Sequence, residues 1–328
     1  MRFWIHESFI IKHSTGENVM AVTTKPVSIE LDDHVLQKPR TLWGDVWQQF
    51  RRHRLAMGAT FVLFIILLGV SFGSFVWKLS PEYIDIVDAY SGMTQEHPFG
   101  TDNLGRDTLA RVISGGRVSL LIGISAMAIA MSVGTIVGLL AGYFSMLDNI
   151  LMRITDVFLS LPILPLLLVI TLLFREPLRK QFGPEAGIFI LTVTIIGLLG
   201  WMPTARLVRG EVLTVKEREF VVAAHSLGSS HLAILRRHIL PNILSPVIVA
   251  SSFSVAGAII TESALSFLGL GFPPDFPTWG RLLFDGKDYL TLTPILVFWP
   301  GLMISLTVLC VNFIGDGLRD ALDPRLRK

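Results

Sequence analysis

From Ser119 to Tyr143 the chain reads SLLIGISAMAIAMSVGTIVGLLAGY, without one Asp, Glu, Lys, Arg or His. A helix crosses the hydrocarbon core of a bilayer in about 20 mostly apolar residues, and backbone in lipid must satisfy its own hydrogen bonds. The stretch is therefore a membrane helix, and five similar windows lie on either side of it: Met57–Trp77, Ile150–Phe174, Ala186–Val208, Ile243–Leu268 and Thr293–Ile314. The fold class that follows is an all-α polytopic bundle of six transmembrane helices. The third window carries Arg153 and Asp156 in its first turns, where they reach the interface or pair with one another. It also carries Pro162 and Pro165, which predict a kink. Of 328 residues, 51% are hydrophobic and only 16% charged, and the net charge of +2 provides no basic field for nucleic acid. The lone cysteine, Cys310, lies in an apolar run and has no partner for a disulfide or a cysteine metal cluster.

Arg51, Arg52 and Arg54 stand directly before the first window, which places the amino terminus on the cytoplasmic side. Counting forward puts 78–118, 175–185 and 269–292 outside, and 145–149, 209–242 and the carboxyl tail inside. Arg175, Arg179 and Lys180 run against that count. The resulting plan is a leader over 1–50, a first helix with its outer segment over 51–118, a five-helix core over 119–316 containing the inner loop 209–242, and a tail over 317–328. Polar residues Lys12, His13, Glu17 and Asn18 interrupt the start, so no cleaved signal peptide is expected, and Met20 is an alternative start of translation.

Gly134, Gly138 and Gly142 recur at four-residue steps on one helix face, a pattern for close helix approach inside the subunit or between subunits. The inner loop, from Arg218, reads REFVVAAHSLGSSHLAILRRHILPNILSP. A short helix over Glu219–Leu227 with Phe220, Val221, Ala224 and Leu227 on its apolar face, ended by Gly228, is followed by a second helix capped by Ser229 or Ser230. That second helix runs to Leu240, where Pro241 stops or kinks it. Such a helix-turn-helix either lies on lipid headgroups, covers its own bundle, or docks into a groove on a partner.

The run Glu219, Ala223, Ala224, Gly228, Leu240, Pro241 resembles the EAA loop of binding-protein-dependent ABC importers. It departs from the family form in that Val221 and Val222 separate the glutamate from the two alanines. Three further segments, HPFGTDNLGRDTLARVISGGRVSLLIG from His97, ESALSFLGLGFPPDFPTWG from Glu262 and DGLRDALDPRLR from Asp316, are similar to the C-type permease of the dipeptide/oligopeptide branch.

The resemblance implies a permease subunit of a bacterial inner-membrane importer for di- or oligopeptides, working with a B-type permease, two ATP-binding subunits and an extracytoplasmic solute-binding protein. It makes Glu219, Ala223, Ala224, Gly228, Leu240 and Pro241 the ATPase-docking loop. No GxxxxGK[ST] phosphate loop occurs, so ATP and its magnesium are expected on partner subunits, with no catalytic residue and no cofactor here. Nickel, glutathione or another solute is an alternative cargo. A self-sufficient secondary transporter is a more distant one, since no two-fold repeat of spans is visible. Glu262, inside the fifth window, either lines or gates the pathway or makes a structural hydrogen bond. Asp102, Arg106, Asp107 and Arg111 include aspartate and arginine four apart, which could bracket a helix turn, and Asp107 and Arg111 are expected to stabilise local structure, with contact to the binding protein or partner permease as the alternative. His225, His231 and His238 are out of phase for a metal site.

Overall fold

The computed structural model describes residues 42–322, and the expectations for residues 1–41 and the last six positions lie outside them. Residues 46–322 belong to one compact unit, and of residues 1–45 only the first turn of helix α1 (Leu42–Arg52) is described. Among the described residues, five helical runs are long and apolar enough to cross a membrane. They are α2 (Arg54–Val76), α3 (Thr108–Tyr143), the pair α6 (Pro184–Leu198) and α7 (Met202–Lys216), the run His231–Phe267, and α12 (Ile295–Leu322). Between α3 and α6 stand α4 (Ser145–Ser160) and α5 (Ile163–Phe182), which meet at a bend of 87°. Counting that bent pair as one passage gives six.

The third window was expected to be one kinked span, and it falls across this break. Leu161 is extended because a residue before proline is driven out of the helical region, and Pro162 then caps α5 without a side-chain hydrogen bond. Arg153 and Asp156 do not pair. Asp156 instead accepts a hydrogen bond from Arg206 on α7, and Asp148 receives both Nε and a terminal nitrogen of Arg209. The partly buried, two-pronged Arg209–Asp148 contact ties α4 to α7.

The glycine face of α3 packs within the subunit. A Cβ on Gly134 would stand 2.6 Å from Thr204 Cβ, one on Gly138 2.6 Å from Val208 Cβ, and one on Gly142 2.6 Å from Val212 Cβ. Each four-residue step on α3 thus meets a four-residue step on α7, and only hydrogen at those Cα positions allows the approach. On the other flank α2 starts against α12, with Ala56 and Phe50 around Gly317 and Ala321.

One end of the bundle carries α11 (Trp279–Gly286) and the turns of residues 77–107. There Asp102 accepts from the Leu104 and Arg106 amides, from Arg106 Nε at 2.7 Å and from Arg111 at 3.1 Å. Arg111, 1% exposed, also reaches Asp285 on α11 and the Pro274 carbonyl, both at 3.2 Å. Asp102 and Arg106 pair across four residues, and Asp107 and Arg111 stabilise local structure as expected, each through other partners. Asp107 caps α3 through the Ala110 amide, accepts from Trp77 Nε1 and lies 2.9 Å from His97 Nδ1, while Arg111 cross-links two loops. Replacing Arg111 with methionine removes the link between Asp102 and Asp285, each of which keeps a second arginine, Arg106 and Arg281, and should cost about 1.5–3 kcal/mol for the lost charge-assisted hydrogen bonds. A thermal scan of the detergent-purified protein reads this as a drop in midpoint, with Arg111→Lys in between.

The same end holds Arg175 at the far side of α5, 3.3 Å from the Gly271 carbonyl. The basic residues of 175–180 thus sit with 269–292, the side on which counting the windows places them.

Candidate functional site

At the opposite end the chain leaves α7 and forms α8 (Glu219–Ser226), a turn, and α9 (His231–Ile234). α8 starts after extended Arg218, and Glu219 in its first turn complements the positive end of the helix. It ends because Gly228 takes φ +77, a left-handed conformation that costs glycine little. The Ser229 amide reaches back to the Ala224 carbonyl and the Gly228 amide to that of His225, which closes the end of the helix. Ser230 then caps α9 through the Ala233 amide.

The second helix does not end at Leu240. It passes through a π turn over Leu235–Ile239 into α10 (Leu240–Phe267), giving a helical run from His231 to Phe267. The Leu240 amide reaches back five residues to the Leu235 carbonyl, and Pro241 occupies the opening turn of α10, where a missing N–H is tolerated. The Asn242 side chain donates to the His238 carbonyl at 2.6 Å, and so satisfies a carbonyl beside the proline. The loop is thus rigidly continuous with a membrane helix.

The buried face of α8 is narrower than its periodicity suggests. Val221 and Ala224 pack with Ile234, Ile239 and Ile243 and with Val208, Val212 and Val215 of α7, while Leu240 packs at the margin of the same cluster. Phe220 and Leu227, expected on that face, point out: they are 44% and 86% exposed, beside Val222 at 52% and Leu232 at 74%. Ala223 is exposed as well, and a Cβ at Gly228 would meet no atom within 4 Å. The six residues of the expected docking loop therefore divide. Glu219, Ala223 and Gly228 lie on the bare outer side, Ala224 and Leu240 lock the loop to α7 and α10, and Pro241 marks the entry to α10. Two contacts were not legible beforehand: Tyr143 Oη lies 2.8 Å from His231 Nδ1, and Lys216 Nζ donates to the Gly142 carbonyl at 3.2 Å. Both tie the loop to the end of α3.

α8 thus keeps an apolar outer side bare while its inner side packs against two membrane helices. Residues 134–328 match the family model for the binding-protein-dependent transport system inner membrane component, and residues 41–95 match that for the N-terminal TM domain of oligopeptide transport permease C. The chain belongs to this family. It is 38% identical over 291 residues to the oligopeptide transport system permease protein OppC of Haemophilus influenzae, covering 88% of this chain and 90% of that one. It is 36% identical to the OppC protein of Bacillus subtilis, with 90% and 94% covered. The glutathione transport system permease protein GsiD of Pectobacterium atrosepticum is also 36% identical, with 88% and 93% covered. The chain is thus a multi-pass membrane permease of an ABC importer, a transport subunit whose ATPase lies in separate subunits.

In this permease Glu262 is completely buried near the α11 end of α10. Its carboxylate accepts from Ser266 at 2.8 Å and from Ser119 and Ser263 at 3.4 and 3.5 Å, and Ser119 in turn accepts the Trp279 amide. It joins α3, α10 and α11, and it does not line the cleft of about 430 Å³ that other residues of α10, between Ala250 and Thr261, border. Of the two readings of Glu262, this geometry fits the structural hydrogen bond.

Proposed function

We propose that the chain forms, with a B-type permease, the path of di- or oligopeptides across a bacterial inner membrane, and that α8 is the element through which two ATP-binding subunits drive it. The observation that carries this reading is the division of α8 into an outer side of Phe220, Val222, Ala223 and Leu227 and an inner side fused to α7 and α10. An element that only covered its own bundle would turn those large side chains inward, since burying a Phe or Leu is worth about 1.5–3 kcal/mol. Displacement of α8 by a partner is carried without slack into two membrane helices, because close-packed cores transmit strain. The end bearing α8 is the cytoplasmic one in this reading, with the amino terminus there. Arg51, Arg52, Arg54, Arg236 and Arg237 at that end support it.

ATP and magnesium belong to the partner subunits, and this chain holds no cofactor. An extracytoplasmic solute-binding protein delivers the cargo. The names of the oligopeptide relatives support a peptide, and the name of the GsiD relatives supports glutathione, itself a tripeptide, as the second reading. The test is purification from the native membrane in mild detergent, with mass spectrometry and an ATPase assay on what accompanies the chain. A second permease and two Walker-motif subunits are expected. This chain recovered alone, and active in vesicles without ATP, would contradict the reading.

A further inference from the structure

A recess of about 230 Å³ lies where α2 ends and α3 begins, at the end of the bundle that carries α11. Ser74, Trp77, Lys78, Ser114 and Arg117 supply its polar side, and no Asp or Glu lines it. α2 is a membrane span that stops at Val76, so the recess stands where hydrocarbon gives way to headgroups, the level that tryptophan favours. The last turns of α2 leave Phe72, Phe75 and Val76 exposed, an apolar strip leading up to it.

The two cations are not spent on carboxylates. Among the described residues neither Lys78 nor Arg117 forms an ion pair. Lys78 lines this recess and not the neighbouring acidic one of Asp85, Asp88 and Glu96, although Leu79 borders both. Asp107, which accepts from Trp77 Nε1, is also engaged by His97 and by the Ala110 amide. Arg117 is held in place: Nε donates to the Val70 carbonyl at 2.7 Å, and one terminal nitrogen donates to the Ser71 carbonyl at 2.9 Å and to Ser74 Oγ at 3.0 Å. A guanidinium has five N–H donors, so this clamp leaves donors for a further acceptor, and an arginine already fixed binds an anion at little ordering cost. A single lysine at this depth would only reach for water. A lysine, a clamped arginine and two serine hydroxyls around one small space form a site for an oxyanion.

We propose that this recess holds the phosphate of an anionic phospholipid of the phosphatidylglycerol kind, with its acyl chains along Phe72, Phe75 and Val76. The phosphate diester accepts from Arg117, from the Lys78 ammonium and from the hydroxyls of Ser74 and Ser114. A zwitterionic lipid fits less well, because its ammonium meets no carboxylate on the walls. The inference is independent of the cargo; the reading of the α8 end as cytoplasmic puts the lipid in the outer leaflet.

The full chain, with the subunits that accompany it, is placed in nanodiscs of phosphatidylcholine with and without phosphatidylglycerol, and the lipids it retains are identified by native mass spectrometry. Phosphatidylglycerol should be retained in preference to phosphatidylcholine, and Lys78→Gln should weaken its retention about fivefold, the value of one lysine at an anionic lipid surface. Lys78→Arg should behave as the parent. So should Lys287→Gln, which removes an exposed lysine at the same end that lies over the Phe284 ring and outside the recess. Equal retention by the parent and Lys78→Gln would overturn the site. Equal loss in Lys287→Gln would overturn it as well, since any surface charge would then serve. A phosphate adduct that forms on the parent in phosphatidylcholine discs with inorganic phosphate, and is missing from Lys78→Gln, would give the recess to free phosphate and overturn the lipid.

Discussion

Gly228→Leu should leave the permease folded and inserted while peptide uptake falls more than about tenfold and the ATPase of the complex continues. The conformational cost is small: a left-handed residue other than glycine costs roughly 1–2 kcal/mol, and no atom lies within 4 Å of the new Cβ. What changes is the outer surface, where a branched side chain would stand next to Leu227 at the tip of the loop. Two substitutions separate the causes. Gly228→Ala has nearly the same backbone cost with little bulk, so uptake near the parent value in Ala and loss in Leu locates the effect in contact with a partner. Equal loss in both locates it in the turn. Normal uptake in Gly228→Leu removes the coupling role of this loop.

A second substitution should act through folding. Gly138→Leu places a Cβ 2.6 Å from the Ala205 carbonyl oxygen and from Val208 Cβ, where rigid backbone and a β-branched side chain leave no room. α3 and α7 must then separate along the whole interface from Gly134 to Gly142, because the three glycines share one register with Thr204, Val208 and Val212. Overpacking a well-filled core costs about 1–3 kcal/mol per site, and more where backbone must move. The expected result is little protein in the membrane fraction and no ATP-driven uptake. A pairing of Gly138→Leu with Val208→Gly should restore part of the yield, since it returns space to the same contact. Normal yield from Gly138→Leu alone would mean that the two helices do not approach as described.

The membrane helices were legible because lipid imposes a one-dimensional rule on sequence: the charge-free runs around Ser119–Tyr143 and Thr293–Ile314 became α3 and α12. The break at Leu161–Pro162 was legible as a kink, but its 87° was not. The angle depends on where α4 is held, by Arg206 and Arg209 on a helix some fifty residues away. Pairing by proximity in sequence held at Asp102–Arg106 and misled at Arg153–Asp156, since interfacial charges choose partners in space. In the loop, the Gly228 turn was fixed by local stereochemistry and so could be read directly. The orientation of α8 could not. Phe220 and Leu227 have the periodicity of a buried face, yet the adjoining face built on Val221 and Ala224 is the one that packs. An apolar residue kept bare for a second protein has the same signature in sequence as one kept for the core. Pro241 was read as stopping or kinking the helix; the helix does not stop there, and the proline stands at a position tolerated after a π turn.

The central claim is that the outer side of α8 touches an ATP-binding subunit, and cross-linking tests it most directly. The free cysteine Cys310 is buried and is replaced with alanine. A new cysteine at Leu227, 86% exposed, is treated with a short bifunctional maleimide in native membranes, and one at buried Ala224 serves as the control. A product joining Leu227→Cys to a Walker-motif subunit, with yield changing when ATP is added and none from Ala224→Cys, is the predicted result. Cross-links only within the permease, or labelling of Leu227→Cys by lipid-soluble reagents in place of protein, would contradict the account and return α8 to the role of a cover or an interfacial helix.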